Sequence, residues 1–482
     1  MQIDKAIDTA FEPISNAVAS VIFYSITVMN LDIKIVLVWL VIAALFFTFY
    51  LGFINIRYFW HAIEVLRGKY DNNNAEGQIN RFQALMTSLS GTVGLGNIAG
   101  VAVAISVGGP GAAFWMAIMG VFGMSTKFVE VTLGVKYRLH GSKSDPTAIS
   151  GGPMYYLRAG FDKLNQPRTG RFMAGLFAIC CVGGTIGAGA LFQANQAYQQ
   201  ALVVTGGDGG FLADRGWLFG LFMALLVGVV IIGGIKWIAA VASKIVPAMA
   251  IVYIVAGFVV IGIHYTEIPL AMQTIFEMAL YPQAGIGALM GALLMGVQRA
   301  TFSNEAGLGS SAIAHSAVKT DVPVSQGMVG MLGPFIDTVI ICMVTALVIV
   351  ISGAHIDGNG IEGVELTSRA FASGISWFPY ILSLTVFLFA FSTMISWSYY
   401  GQKCATYLFG EHNLVEGIYK ILFCMFIVIG ASTQLSNIIL FTDSMVFAMA
   451  IPNIIGLYIL APEIKQDLKI YMKNLKEKHK IA

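Results

Sequence analysis

A chain of 482 residues that is 57% hydrophobic and only 11% charged lies far from the soluble class, in which about 25% of residues are charged. A formal net charge of +2 leaves no basis for a nucleic-acid partner. The five cysteines, Cys180, Cys181, Cys342, Cys404 and Cys424, are odd in number and form no C-x-x-C pair, which argues for small buried apolar residues over a disulfide scaffold or zinc site.

The N-terminal segment 1–34 carries Asp4, Lys5, Asp8 and Glu12 where a secretory signal would need a basic start and an apolar stretch. Its apolar part, 14–29, is short and reads as an interfacial helix. A bilayer-crossing helix needs roughly 20 mostly apolar residues. Spans are expected near 35–56, 82–106, 112–135, 172–204, 217–235 and 245–264. A second group follows near 285–314, 326–352, 376–402, 417–433 and 438–460. The predicted fold class is therefore all-α integral membrane, with about eleven transmembrane helices in contact with membrane lipid.

Basic residues test this count, because short cytoplasmic loops are enriched in Lys and Arg. One set of alternate segments holds 22 of the 28, including Arg57, Arg81, Lys136, Arg138, Lys236, Lys244 and the tail lysines from Lys465 to Lys480. The opposite set holds four, Lys5, Lys34, Arg215 and Arg369, and Lys127 and Arg299 fall inside spans. The expected topology is a plasma-membrane protein with its N-terminus outside and its C-terminus inside.

Two spans interrupt their apolar pattern alike. The second contains Ser90-Gly91-Thr92-Val93-Gly94-Leu95-Gly96-Asn97, and the seventh contains Phe302-Ser303-Asn304-Glu305-Ala306-Gly307-Leu308-Gly309-Ser310. Both place Gly-Leu-Gly at mid-span before a small polar residue. Five spans separate them, so the two copies face opposite ways in the membrane. Close helix packing would also favour glycine, but it does not require Ser, Thr, Asn and Glu at the same spot. Matching interruptions in two halves point to a transporter site at an inverted-repeat interface.

A helix broken at membrane depth offers two useful ends. The first half presents free carbonyls that suit a cation, and the second presents free amides that suit a carboxylate. Here the carbonyls around Ser90 to Val93 are expected to face a cation, and the amides near Gly96 and Asn97 a substrate carboxylate. The glycines let the backbone approach closely. Gln193 and Asn195 add polar groups to the fourth span. Ser392, Thr393, Ser396 and Trp397 do so in the ninth, where Thr393 and Trp397 share a face at i,i+4. Phe302, at the second break, completes the expected substrate set.

Intramembrane ionisable groups are costly. Lys127 and Glu130, at i,i+3, read as a structural ion pair, and Glu305 as a brace between broken helix ends. Asp337 and Asp443 take no assigned role, and His315 is expected near the cytoplasmic end of its span.

The stretch Ser90 to Gly100, the run Gly108-Gly109-Pro110-Gly111-Ala112-Ala113-Phe114-Trp115-Met116, Lys127-Phe128-Val129-Glu130 and Asn304 to Ser310 resemble the alanine or glycine:cation symporter family over roughly residues 35–460. The chain departs from that family at Ala117, where a second Trp is usual, and at Gly134, where Ala is usual. The resemblance implies a leucine-transporter-like fold: two inverted five-helix repeats, 82–264 and 265–460, preceded by an extra helix and loop (35–81) and followed by a basic tail (461–482). It also implies symport of alanine or glycine, sometimes glutamine, with Na⁺, and no enzyme activity.

Val93 to Asn97 is similar to the first broken helix of neurotransmitter:sodium symporters. That similarity implies one sodium site from the Ser90 and Val93 carbonyls with Ser392 and Thr393. Thr92 and Asn97 match ligands of a second. The alternatives are proton coupling through Glu305 or Glu130, an intramembrane hydrolase built from Ser310 or Ser311 with His315, and a channel. The last lacks any repeated filter sequence. No sequence feature assigns an oligomeric state.

Overall fold

Helix after helix follows the apolar runs. The computed structural model describes residues 13, 16–28, 31–72, 74–141, 148–281, 285–356 and 363–481. The first apolar helices are α1 (Ile35–Tyr50), the pair α2 (Arg81–Thr92) and α3 (Gly96–Gly108), and α4 (Gly111–Lys136). Then come α5 (Pro153–Lys163), α6 (Pro167–Val204), α7 (Gly216–Ile232), α8 (Gly234–Ile263) and the short α9 (Ile268–Leu280). The second half has the pair α10 (Ile286–Asn304) and α11 (Ser310–His315), then α12 (Pro323–Ile351), α13 (Val364–Ala372), α14 (Phe378–Phe409), α15 (Asn413–Ser432) and α16 (Leu435–Ile481). By length and composition, seven helices among the described residues can cross a bilayer, or eight if the bent pair α2–α3 is one span. α1, α7 and the α10–α11 pair occupy the remaining expected positions.

Local chemistry sets the boundaries. Asn80 opens α2 with a capping box: its side chain accepts from Gln83 N at 2.8 Å, and Gln83 Oε1 accepts from Asn80 N at 3.1 Å. Gly134 on α4 lies so close to α11 that a Cβ there would sit 2.8 Å from the Ala312 carbonyl oxygen. The family's usual alanine would not fit without a shift, so this departure tightens one helix contact.

Three sequence expectations need correction. The apolar stretch 14–29 is helical only over the described residues 16–22; Ser25–Val28 (β1) pairs antiparallel with Leu31–Lys34 (β2). Residues 14, 15 and 29 lie outside the described ones. Ile26, Thr27 and Val28 are β-branched and favour the extended chain. The loop expected between 235 and 245 is absent. α8 starts at Gly234, whose left-handed φ of 65° makes the turn, and Lys236 and Lys244 are exposed on the helix itself. The tail expected from 461 is a continuation of α16, a helix of 47 residues that carries Pro452 and Pro462 internally. At 1.5 Å per residue it runs about 70 Å, more than twice a hydrocarbon core of about 30 Å.

Candidate substrate and ion site

The chain bends by 52° between α2 and α3. α2 ends where Val93 N donates to Leu89 O at 2.6 Å. The carbonyls thereby freed take side-chain donors from α14: Thr393 Oγ1 donates to Ser90 O at 3.0 Å, and Trp397 Nε1 to Gly91 O at 3.1 Å. Ser90 Oγ in turn donates to Ser392 O at 2.5 Å. Ser90, Ser392 and Thr393 thus form one cluster of neutral, buried oxygens, a donor set whose chemistry suits an alkali cation. Val93 is buried at the helix end. Thr92 Oγ1 turns back to Leu89 O at 3.4 Å rather than to Ser90, Ser392 or Thr393.

On the other side of the break, amides face inward. Gly94 N donates to Asn97 Oδ1 at 3.0 Å and Leu95 N to Gln193 Oε1 at 3.2 Å. Gln193 lies on α6, just after a π-helical turn over Thr185–Leu191, a distortion frequent at functional sites. Gly94 has no room for a side chain: a Cβ would collide with Thr393 Oγ1. At Gly96 a Cβ would lie 3.3 Å from the Phe302 ring, so the two breaks meet at this point. Trp397 is buried, its ring 5.6 Å from that of Tyr400. Asn195 stands apart, donating to Thr433 O at 2.6 Å.

A carboxylate left unassigned by sequence occupies the junction. Asn97 Nδ2 donates to Asp337 Oδ1 at 2.5 Å; Asp337 Oδ2 accepts from Ser303 Oγ at 2.6 Å and from Thr338 Oγ1 at 2.8 Å. Asp337 sits on another π-helical turn, Phe335–Cys342 in α12; the start of α3, Gly96–Gly100, is π-helical as well. Its only sequence signal is an acid inside an apolar span. The carbonyls freed in α3 are also satisfied, that of Asn97 by Thr345 Oγ1 at 2.9 Å and that of Ile98 by Thr367 Oγ1 at 3.1 Å.

The second break is built differently. Glu305, Gly307 and Gly309 all adopt left-handed φ, at 56°, 93° and 82°. Glu130 Oε1 on α4 accepts from Gly309 N at 2.9 Å and from Asn453 Nδ2 at 2.7 Å, while Asn453 Nδ2 also donates to Gly307 O at 2.8 Å. Lys127 Nζ donates to Ser311 Oγ at 2.6 Å and lies 3.9 Å from Glu130. Ser310 Oγ donates to Glu305 Oε2 across the break. His315 Nδ1 bonds Gln326 Nε2 at 2.8 Å, so the hydrolase reading finds no Ser–His pair here.

Buried arginines lie on both sides of the site. Arg299, 5.4 Å from the Phe302 ring, pairs with Asp443, which also accepts from Gln298 Nε2 at 2.7 Å; Lys34 Nζ reaches Gln298 Oε1 at 3.1 Å. Arg81, at the start of α2, donates to Asp71 at 2.6 Å, Ser325 at 2.8 Å and Thr320 at 3.0 Å.

Comparison with known proteins decides the family. The model of the sodium:alanine symporter family matches residues 16–482. The chain belongs to the sodium:alanine symporter family. The sodium/alanine symporter AgcS of Methanococcus maripaludis is 38% identical over 449 residues, 92% of this chain and 96% of that one. The probable sodium/glutamine symporter GlnT of Bacillus subtilis is 34% identical, over 92% of this chain and 89% of its own. Among solved structures, MhsT in complex with L-phenylalanine superposes with a TM-score of 0.53 at 16% identity, covering 80% of this chain and 89% of that one. This family member therefore has a leucine-transporter-like fold.

Proposed function

We propose that the chain is a secondary active transporter that carries a small neutral amino acid, alanine or glycine, together with Na⁺ by alternating access. The observation that carries this reading is the opposed polarity at the first break. The Ser90 carbonyl stands with the Ser392 and Thr393 oxygens on one side, and the Gly94 and Leu95 amides lie on the other. A zwitterion with a cation beside it needs that arrangement.

Ser90, Val93, Ser392 and Thr393 would hold one Na⁺ through carbonyl and hydroxyl oxygens. Asn97, with Thr92, would contribute to a second, and Asp337, which accepts from Asn97 and Ser303, would join that set. The amides from Gly94 to Gly96 would take the substrate carboxylate; Asn97, whose N–H donates to Gly94 O at 3.2 Å, would contribute its side chain, with Gln193, Phe302, Thr393 and Trp397 forming the pocket. The Arg299–Asp443 pair and the Arg81 cluster would close the site on its two sides, opening in turn. The charge bias in the loops supports an outward N-terminus and an inward C-terminus in the plasma membrane.

Sodium and substrate would each raise the affinity for the other by the same factor. The test is alanine uptake into proteoliposomes under an inward sodium gradient. Uptake indifferent to that gradient would sink the proposal. Proton coupling has some support among relatives, since one from Bacillus subtilis is named a putative sodium/proton-dependent alanine carrier. In this chain, however, Glu130 and Glu305 are engaged in holding the second break together, which favours the sodium reading.

A further inference from the structure

The extension of α16 beyond the bilayer carries its charges on separate faces. Glu463 and Asp467, at i,i+4, turn toward α4 and α5: Lys136 pairs with both, Lys163 pairs with Glu463, and Tyr137 OH donates to Glu463 at 2.8 Å. Those acids are neutralised by the protein's own lysines. Lys465, Lys469, Lys473 and Lys476, at i, i+4, i+8 and i+11, fall on a different face. That face turns toward the end of α1.

There the two helices border an open cleft of about 580 Å³ lined by Tyr50, Arg57, Tyr58, Lys465, Lys469 and Lys476, among others. Lys465 Nζ sits 4.0 Å from the Tyr50 ring centroid, and the Arg57 guanidinium 5.4 Å from that of Tyr58. Among the described residues no carboxylate lies within ion-pair distance of Arg57, Lys465, Lys469 or Lys476. Lys473 alone has one, the exposed Glu477 at 3.9 Å. Converging cations without a counter-charge call for an anion from elsewhere.

Its position says which kind. Tyr50 is the last residue of the apolar helix α1, and aromatic rings at the ends of membrane helices meet lipid headgroups. Phe46, Phe49 and Phe53 are exposed beside it, at 37%, 62% and 38%, an apolar track leading from the bilayer to the cleft. Basic pockets between membrane helices suit anionic lipid headgroups, and Arg and Lys both bind phosphate well. We propose that this cleft binds the phosphodiester headgroup of an anionic membrane phospholipid, with its acyl chains along α1. The lipid would clamp the projecting half of α16 to the first membrane helix.

Native mass spectrometry of the purified full-length protein with equal amounts of phosphatidylglycerol and phosphatidylcholine tests this. The expected result is retention of phosphatidylglycerol on the order of tenfold over phosphatidylcholine. Lys465→Gln/Lys469→Gln/Lys476→Gln, all exposed or half-buried positions, should abolish that preference. Lys236→Gln/Lys244→Gln, which removes two exposed lysine charges on α8, should leave it intact. Equal retention of the two lipids by the wild type would overturn the proposal, as would a triple variant that keeps the preference. Displacement of phosphatidylglycerol by excess inorganic phosphate would assign the pocket to a free anion instead.

Discussion

Asn97 on the first broken helix donates its side-chain amide to Asp337 on α12 at 2.5 Å, linking positions 240 residues apart. The same carboxylate takes Ser303 Oγ from the end of α10. One buried anion thus ties both broken helices to the π-helical turn of α12, beside the proposed ion and substrate positions.

Asp337→Asn keeps the shape and removes the charge. A hydrogen bond to a charged group contributes about 1.5–3 kcal/mol, so sodium-dependent alanine binding is expected to weaken by about 10- to 100-fold. Ser303→Ala, which leaves Asn97 in place, should cost less. Scintillation proximity binding with a sodium titration measures both, and unchanged sodium dependence in Asp337→Asn would remove the carboxylate from the ion site.

Gly94→Ala pushes a methyl group into Thr393 Oγ1, and Gly96→Ala pushes one toward the Phe302 ring at 3.3 Å. The first should abolish sodium-driven uptake in protein that still inserts and purifies. The second should reduce it in part, because an aromatic ring can give by a few tenths of an ångström. Equal losses in the two would show that close approach at Gly94 is not what matters.

Lys127 and Glu130 are both buried, and the second break hangs on them. Removing one partner of a buried pair costs on the order of 3–5 kcal/mol, whereas replacing both costs less. Glu130→Gln and Lys127→Met should each lower the melting temperature of the purified protein, and the double variant should lie above the sum of the single losses. Strict additivity would contradict a paired role.

Arg299 and Asp443 pair next to Phe302. If they close the site, Asp443→Asn should slow transport several-fold while sodium-dependent binding at equilibrium changes little. Loss of binding together with transport would place the pair in the substrate site.

Much of the architecture was legible because bilayer thickness imposes length and apolarity on each span. Both breaks were legible because a Gly-Leu-Gly run with Ser, Thr, Asn and Glu has no place in a plain membrane helix. What escaped was of two kinds. Local helix continuity overrode charge at Lys236 and Lys244 and along α16 past Pro462, where lysines looked like loop and tail. Partnerships across the fold also escaped: Asp337 meets Asn97 and Asp443 meets Arg299, 144 residues apart in the latter case. A single sequence carries no record of such meetings. The mechanism of the breaks also divides in a way composition hides, since Gly94 is needed for close approach and Gly307 and Gly309 for left-handed backbone.

The central claim is that sodium and a small amino acid share the first break. Binding of tritiated alanine to the detergent-purified protein, with and without Na⁺, beside an Asn97→Ala variant, tests it most directly. The expected result is binding that requires Na⁺ and is lost in Asn97→Ala. Binding that ignores Na⁺, or a variant that binds as the wild type does, would contradict it.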